Sequence, residues 1–174
     1  MRLKTNPVKM LLTLLLFIAV ASYLTISLTT RDAIWFVTGF EDRPTLVIIY
    51  DGGKTKEYRA GTPGFEQLAE GVRATLEGGV ARPSAMGLSE GSLEDALTMF
   101  LSVEAYFPKP VKLHTWFNTG NPTRALFPIT GRHSDRSIVF LSTNKDAYNT
   151  TAPILKTREP LLAALRGLGY QITQ

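Results

Sequence analysis

The 174-residue chain has no cysteine and only two histidines. The missing thiols exclude a disulfide scaffold, a cysteine nucleophile, thiolate zinc or iron-sulfur sites, and lipidation through an N-terminal cysteine. An excess of one charge is missing as well. Three of the 19 Lys and Arg residues, namely Arg2, Lys4 and Lys9, precede the first apolar run, so residues 31–174 hold 16 basic against 15 acidic side chains. A near-neutral remainder without a Lys/Arg cluster cannot drive counterion release from phosphates, and nucleic acid is excluded as an expected partner. No internal repeat and no low-complexity tail occurs.

Met10 to Thr30 contains no charge, Gly or Pro over 21 residues. As a helix rising about 1.5 Å per residue it spans roughly 31 Å, the thickness of a bilayer's hydrocarbon. The cationic flank lies on its N-terminal side, whereas Arg31 is followed at once by Asp32. The positive-inside bias therefore puts the N-terminus in the cytoplasm and the remainder outside the cell membrane. The expected organisation is a cytoplasmic N-terminus at 1–9, a transmembrane signal-anchor helix at 10–30, a juxtamembrane segment at 31–43 and an extracytoplasmic α+β domain at 44–174. Ala19-Val20-Ala21 supplies a small-x-small site, so secretion after cleavage near Ala21 is the alternative. Apolar character that continues through Leu28 favours the retained anchor. Ala33 to Val37 carries a Trp and a Phe, read as interfacial aromatics, as a prolongation of the helix to Gly39, or as the start of the core.

Beyond Glu41 the pattern predicts an α+β fold: a mostly antiparallel sheet of about six strands with two amphipathic helices packed on one face. Thr45–Tyr50 and Lys54–Arg59 flank Asp51-Gly52-Gly53 as a hairpin. Thr62-Pro63 opens a helix, with Thr62 as N-cap, whose apolar face is Phe65, Leu68, Ala69, Val72 and Leu76, and Gly78-Gly79 stops it. Val80 to Ser92 reads as a loop. Alternation predicts strands at Leu97–Phe107, with Glu104 on the wet face, and at Val111–Phe117; Ala125–Thr130 and Ser137–Ser142 follow. Glu159–Leu168 is the second helix. The other sheet face is left to water or to a partner.

Few local arrangements suggest chemistry. Gly53-Lys54-Thr55 lacks the earlier glycine and the following helix of a phosphate loop. His133-Ser134-Asp135 has the residue types of a hydrolytic triad, but adjacent side chains diverge and no nucleophile elbow occurs. His114 falls on the polar side of its strand, and no carboxylate spacing completes a metal site. Glu90, Glu94 and Asp95 form an acidic patch that caps a helical turn or, if desolvated, acts as an acid/base pair. Tyr106, Phe107, Trp116 and Phe117 are core residues or the lining of a groove. Asn149-Thr150-Thr151 is an N-glycosylation sequon.

No cofactor or metal is expected. The composition points to a non-catalytic, single-pass protein that contacts the lipid bilayer through residues 10–30 and binds an envelope protein or surface ligand. The alternatives are an extracytoplasmic hydrolase using His133, Asp135 or His114, and a small-molecule or lipid sensor.

Overall fold

Two consecutive glycines with positive φ, Gly52 at 54° and Gly53 at 82°, close the hairpin between β1 (Leu46–Asp51) and β2 (Lys54–Arg59). Such a two-residue turn matches the twist of the strands it joins. The computed structural model describes residues 6–37, 39–143, 147–149 and 152–172. Arg2, Lys4 and the sequon threonines Thr150 and Thr151 lie outside the described residues.

The remaining elements are α1 (Pro7–Thr30), α2 (Phe65–Glu77), β3 (Val80–Ser84), α3 (Glu90–Thr98), β4 (Ser102–Tyr106), β5 (Arg124–Pro128), β6 (Phe140–Ser142), β7 (Ala152–Leu155) and α4 (Glu159–Gly167). The protein is α+β, with a five-stranded antiparallel sheet in the order β2-β1-β4-β5-β6 and a separate β3–β7 ribbon. The sixth sheet strand expected from the sequence is not among these described elements.

Period-two alternation gives the sheet two distinct faces. Val47, Ile49, Val103, Ala105, Ala125, Phe127 and Leu141 point to one face and join Leu68, Val72 and Leu76 of α2 with Leu161 and Leu165 of α4 in the principal core. The second face is not left open, as the sequence had suggested. Leu126 and Phe140 pack with Ala96, Leu93 and Leu97 of α3, with Ile138, and with Ala152 and Ile154 of β7.

Several boundaries differ from expectation for identifiable reasons. Leu97 to Met99 does not begin a strand: the Ser89 hydroxyl caps α3 by accepting from Ser92 N at 3.3 Å, and Leu93, Ala96 and Leu97 recur at helical spacing toward the second core. The strand starts only at Ser102. Val80 to Ser92 is not a loop throughout, because β3 pairs with a chain segment some seventy residues later, a partner that local pattern cannot reveal. Val111 to Phe117 keeps its alternation, with Val111, Leu113 and Thr115 buried, yet forms no strand. Periodicity states which side chains face inward; a ladder needs a neighbour as well. Thr62 does not cap α2, whose N-cap is Gly64 in the left-handed region; the Thr62 hydroxyl instead accepts from Arg59 N at 3.3 Å. α1 ends at Thr30, where Arg31 takes a left-handed conformation with φ 53°, so it does not continue to Gly39.

Helices α2 and α4 touch at Gly71. A Cβ placed there would come within 2.8 Å of Ala164 Cβ and 3.2 Å of the Pro160 carbonyl. Gly71→Ala gains up to about 1 kcal/mol of helix propensity, but overpacking a close helix contact costs about 1–3 kcal/mol. The variant is expected to be net destabilised by about 1–2 kcal/mol in urea unfolding of the full chain; an equal or higher midpoint would contradict this close approach.

Candidate functional site

Two polar clusters stand out, one at the end of α1 and one on the second face of the sheet. At the first, the left-handed Arg31 turns the chain so that Asp32 N donates to Ser27 O at 3.1 Å. The Asp32 carboxylate then takes two partners. Oδ1 accepts from Ile34 N at 3.0 Å, and Oδ2 lies 2.7 Å from His114 Nδ1. Both side chains are largely withdrawn from solvent, at 8% exposure for Asp32 and 21% for His114. A carboxylate only accepts, so in the neutral ring the shared proton belongs to Nδ1 and Nε2 keeps its lone pair. Lys112 Nζ donates to the Arg31 carbonyl at 3.2 Å, and Tyr23 OH to the Ala33 carbonyl at 3.0 Å. Trp35 and Phe36 thereby fold back toward Tyr23, with ring centroids 5.6 Å apart between Trp35 and Phe36 and 6.3 Å between Phe36 and Tyr23.

Beside this clasp lies a cleft of about 590 Å³, lined by the apolar Ile34, Val37 and Phe40 and by the polar Lys109, Lys112 and His114. Glu41 and Asp42 share its rim, and Lys109 pairs with Asp42 at 3.1 Å. Among the described residues no serine or threonine hydroxyl hydrogen-bonds His114. The imidazole has the orientation of a general base without a protein nucleophile in contact.

The second cluster centres on Glu104, which the alternation put on a wet face but which is 3% exposed. The strand register explains how it is enclosed: Ile48, Glu104, Leu126 and Phe140 form one row across β1, β4, β5 and β6, with Tyr50 and Arg124 diagonal neighbours. Tyr50 OH donates to Glu104 Oε2 at 2.8 Å, and Tyr148 OH donates to Oε1. Arg124 Nε stands 3.4 Å from Oε1 without hydrogen-bond alignment, and its guanidinium lies 4.7 Å from the Tyr148 ring centroid. Burial, followed by the Glu104 charge, holds the Tyr50 and Tyr148 hydroxyls far above the ordinary tyrosine range, and raises Tyr106 for the same reasons.

The remaining sequence candidates occupy separate surroundings. His133, at φ 70°, presents its edge to Phe140 at 5.5 Å; burial first, then Arg132, lowers its pKa, while Asp135 works the other way. The Ser134 hydroxyl donates to Gly131 O at 2.7 Å, and Asp135 faces Arg136 Nε at 3.5 Å, so the three neighbours each look elsewhere. Glu90 and Glu94 are exposed on α3. Phe107 is buried in the principal core and Tyr106 lies over the Glu104 side, while Trp116 is 54% exposed against Phe117. Asn149 Nδ2 donates to Thr119 O at 3.2 Å.

Removing the Glu104 charge tests its cluster. A tyrosine whose pKa is higher folded than unfolded adds stability that is whole below the unfolded value and drains away as pH rises toward the folded one. Glu104→Gln is expected to lower stability at neutral pH by about 3 kcal/mol, because Arg124 is left buried beside a neutral amide. It is also expected to bring forward the alkaline tyrosinate absorbance of Tyr50 and Tyr148; an unchanged ultraviolet titration would contradict the assigned contacts. Comparison with protein-family models, with curated proteins and with solved structures yields no match for this chain.

Proposed function

We propose that the chain is a single-pass membrane protein whose α+β domain stands on the extracytoplasmic side and binds an envelope protein or a surface ligand without catalysis. The observation that carries this reading is α1 itself. Twenty-four residues long, it is apolar enough to cross a membrane, and no part of its most apolar window is buried by the rest of the protein. Leu11, Leu12, Leu15, Leu16, Phe17 and Ile18 are each more than half exposed. Leaving such side chains in water forgoes roughly 1.5–3 kcal/mol apiece, whereas lipid satisfies them and the helix satisfies its own backbone. At about 1.5 Å per residue the helix is about 36 Å long, sufficient for a bilayer with a modest tilt.

Retention of the helix is favoured by how its end is built. Cleavage near Ala21 would remove the first part of α1 and leave Leu24 and Leu28 exposed on a short stub that no longer spans a bilayer. The Asp32–His114 pair, the Lys112 bond to Arg31 O and the Tyr23 bond to Ala33 O join helix and domain into a clasp with a short lever. A non-catalytic role is supported by how the buried carboxylate on the sheet is used: both Glu104 oxygens receive tyrosine hydroxyls. These are the contacts of groups spent on architecture. Trp116, exposed on the segment next to the clasp, is a natural anchor for a partner, since aromatic side chains dominate interface energetics.

The reading is tested on membranes of cells expressing the full chain with a photo-crosslinking residue in place of Trp116. The protein is expected to resist alkaline carbonate extraction, to show the intact mass of the unprocessed chain, and to give one discrete crosslinked adduct. Release by carbonate or a mass starting beyond Ala21 would overturn the anchor, and a smear without a discrete adduct would overturn the partner.

A further inference from the structure

The cleft at the end of α1 combines an apolar lining with charges of both signs. Its apolar wall comes from Ile34, Val37 and Phe40, of which Ile34 is 49% and Val37 44% exposed. Its polar wall is balanced in sign, with Lys109 and Lys112 against Glu41 and Asp42. Lys109 and Asp42 neutralise one another at 3.1 Å. That leaves one cation and one anion. Among the described residues neither Lys112 nor Glu41 carries an ion pair; both are exposed, and the ammonium of Lys112 is steered only by the neutral Arg31 carbonyl.

Position adds the second constraint. Ile34 follows Thr30, the last residue of α1, by four positions, and Tyr23, Trp35 and Phe36 gather around that helix end as aromatics do at a lipid–water boundary. With α1 in the bilayer, as the preceding reading has it, a cleft lined by residues this close to the helix end lies near the headgroups.

We propose that this cleft binds a zwitterionic phospholipid headgroup, with the phosphate on Lys112, a primary ammonium on Glu41, and the upper acyl chain against Ile34 and Val37. A purely anionic headgroup would find Lys112 equally well but would face the unpaired Glu41 carboxylate, a like charge with no compensating partner. A primary ammonium is preferred over a quaternary one because a carboxylate accepts hydrogen bonds and a trimethylated nitrogen has none to give. The Asp32–His114 clasp positions both sides of the cleft, since Asp32 fixes Ile34 N and His114 lies two residues from Lys112.

The test is native mass spectrometry of the full-length protein released from detergent after incubation with phosphatidylethanolamine or phosphatidylglycerol. One phosphatidylethanolamine is expected to remain bound, with about tenfold preference over phosphatidylglycerol, equivalent to about 1.4 kcal/mol. Lys112→Ala is expected to weaken retention of both lipids, because both carry the phosphate, whereas Glu41→Gln is expected to abolish the preference and Glu41→Lys to turn it toward phosphatidylglycerol. Excess free phosphoethanolamine is expected to compete only weakly, because it lacks the acyl chain; full displacement by it would reassign the site to a soluble ligand and overturn the lipid assignment. Equal retention of both lipids by the unaltered protein, unchanged retention in Lys112→Ala, or unchanged preference in Glu41→Gln would overturn the proposal while carbonate-resistant protein left the anchor standing. Carbonate release would remove both.

Discussion

An apolar helix that its own protein does not cover is the constraint from which the other features of this chain take their meaning. Folded domains rarely show a contiguous apolar surface of that size, and those that do present it to a partner or to lipid. Once α1 is assigned to a bilayer, the position of everything around Thr30 acquires a reference plane. On the proposed reading, the left-handed Arg31 is the point where the chain leaves the hydrocarbon, and the aromatic trio of Tyr23, Trp35 and Phe36 marks its edge. The Asp32–His114 pair ties the domain down directly after the helix, so that domain and α1 are coupled through a few residues and not through a long linker.

Both polar clusters show a shared economy. A buried carboxylate is costly unless its lone pairs are filled, and each of the two here is filled by groups from distant parts of the sequence. Asp32 draws on His114, 82 positions away, and Glu104 draws on Tyr50 and Tyr148, 54 and 44 positions away. Such pairs do little for net stability against an apolar replacement, but they penalise every arrangement in which one partner is missing. For Glu104 that specifies the register of β1, β4 and β5. For Asp32 it specifies how the helix end meets the segment carrying Lys112 and Trp116.

Legibility in the sequence followed the range of the interaction. The uncharged run at Met10–Thr30, the Gly52-Gly53 turn and the spacing of Leu68, Val72 and Leu76 are written within a few residues of themselves, and the α+β class, the hairpin, α2 and α4 could be read from them. The β3–β7 ribbon could not, because Val80 and Leu155 share no local signal. Val111 to Phe117 misled in an instructive way, since inward-facing alternation persisted without a hydrogen-bonded neighbour. At the sites, His114 was visible as a residue while its partner Asp32 was masked by reading Arg31-Asp32 only as a charge flank. Alternation alone turns Glu104 toward water because it treats every second face as wet; only the register that sets Tyr50 and Arg124 beside it shows otherwise.

A chain without cysteine allows the topology to be measured directly, with single cysteines as the only reactive thiols. Met99 is 64% exposed on the domain and Val8 61% exposed at the start of α1. In intact cells a membrane-impermeant maleimide is expected to label Met99→Cys, and to label Val8→Cys only after permeabilisation. Labelling of Val8→Cys with Met99→Cys protected, or equal protection of both until the cells are opened, would contradict an outward-facing domain held by a membrane-spanning α1.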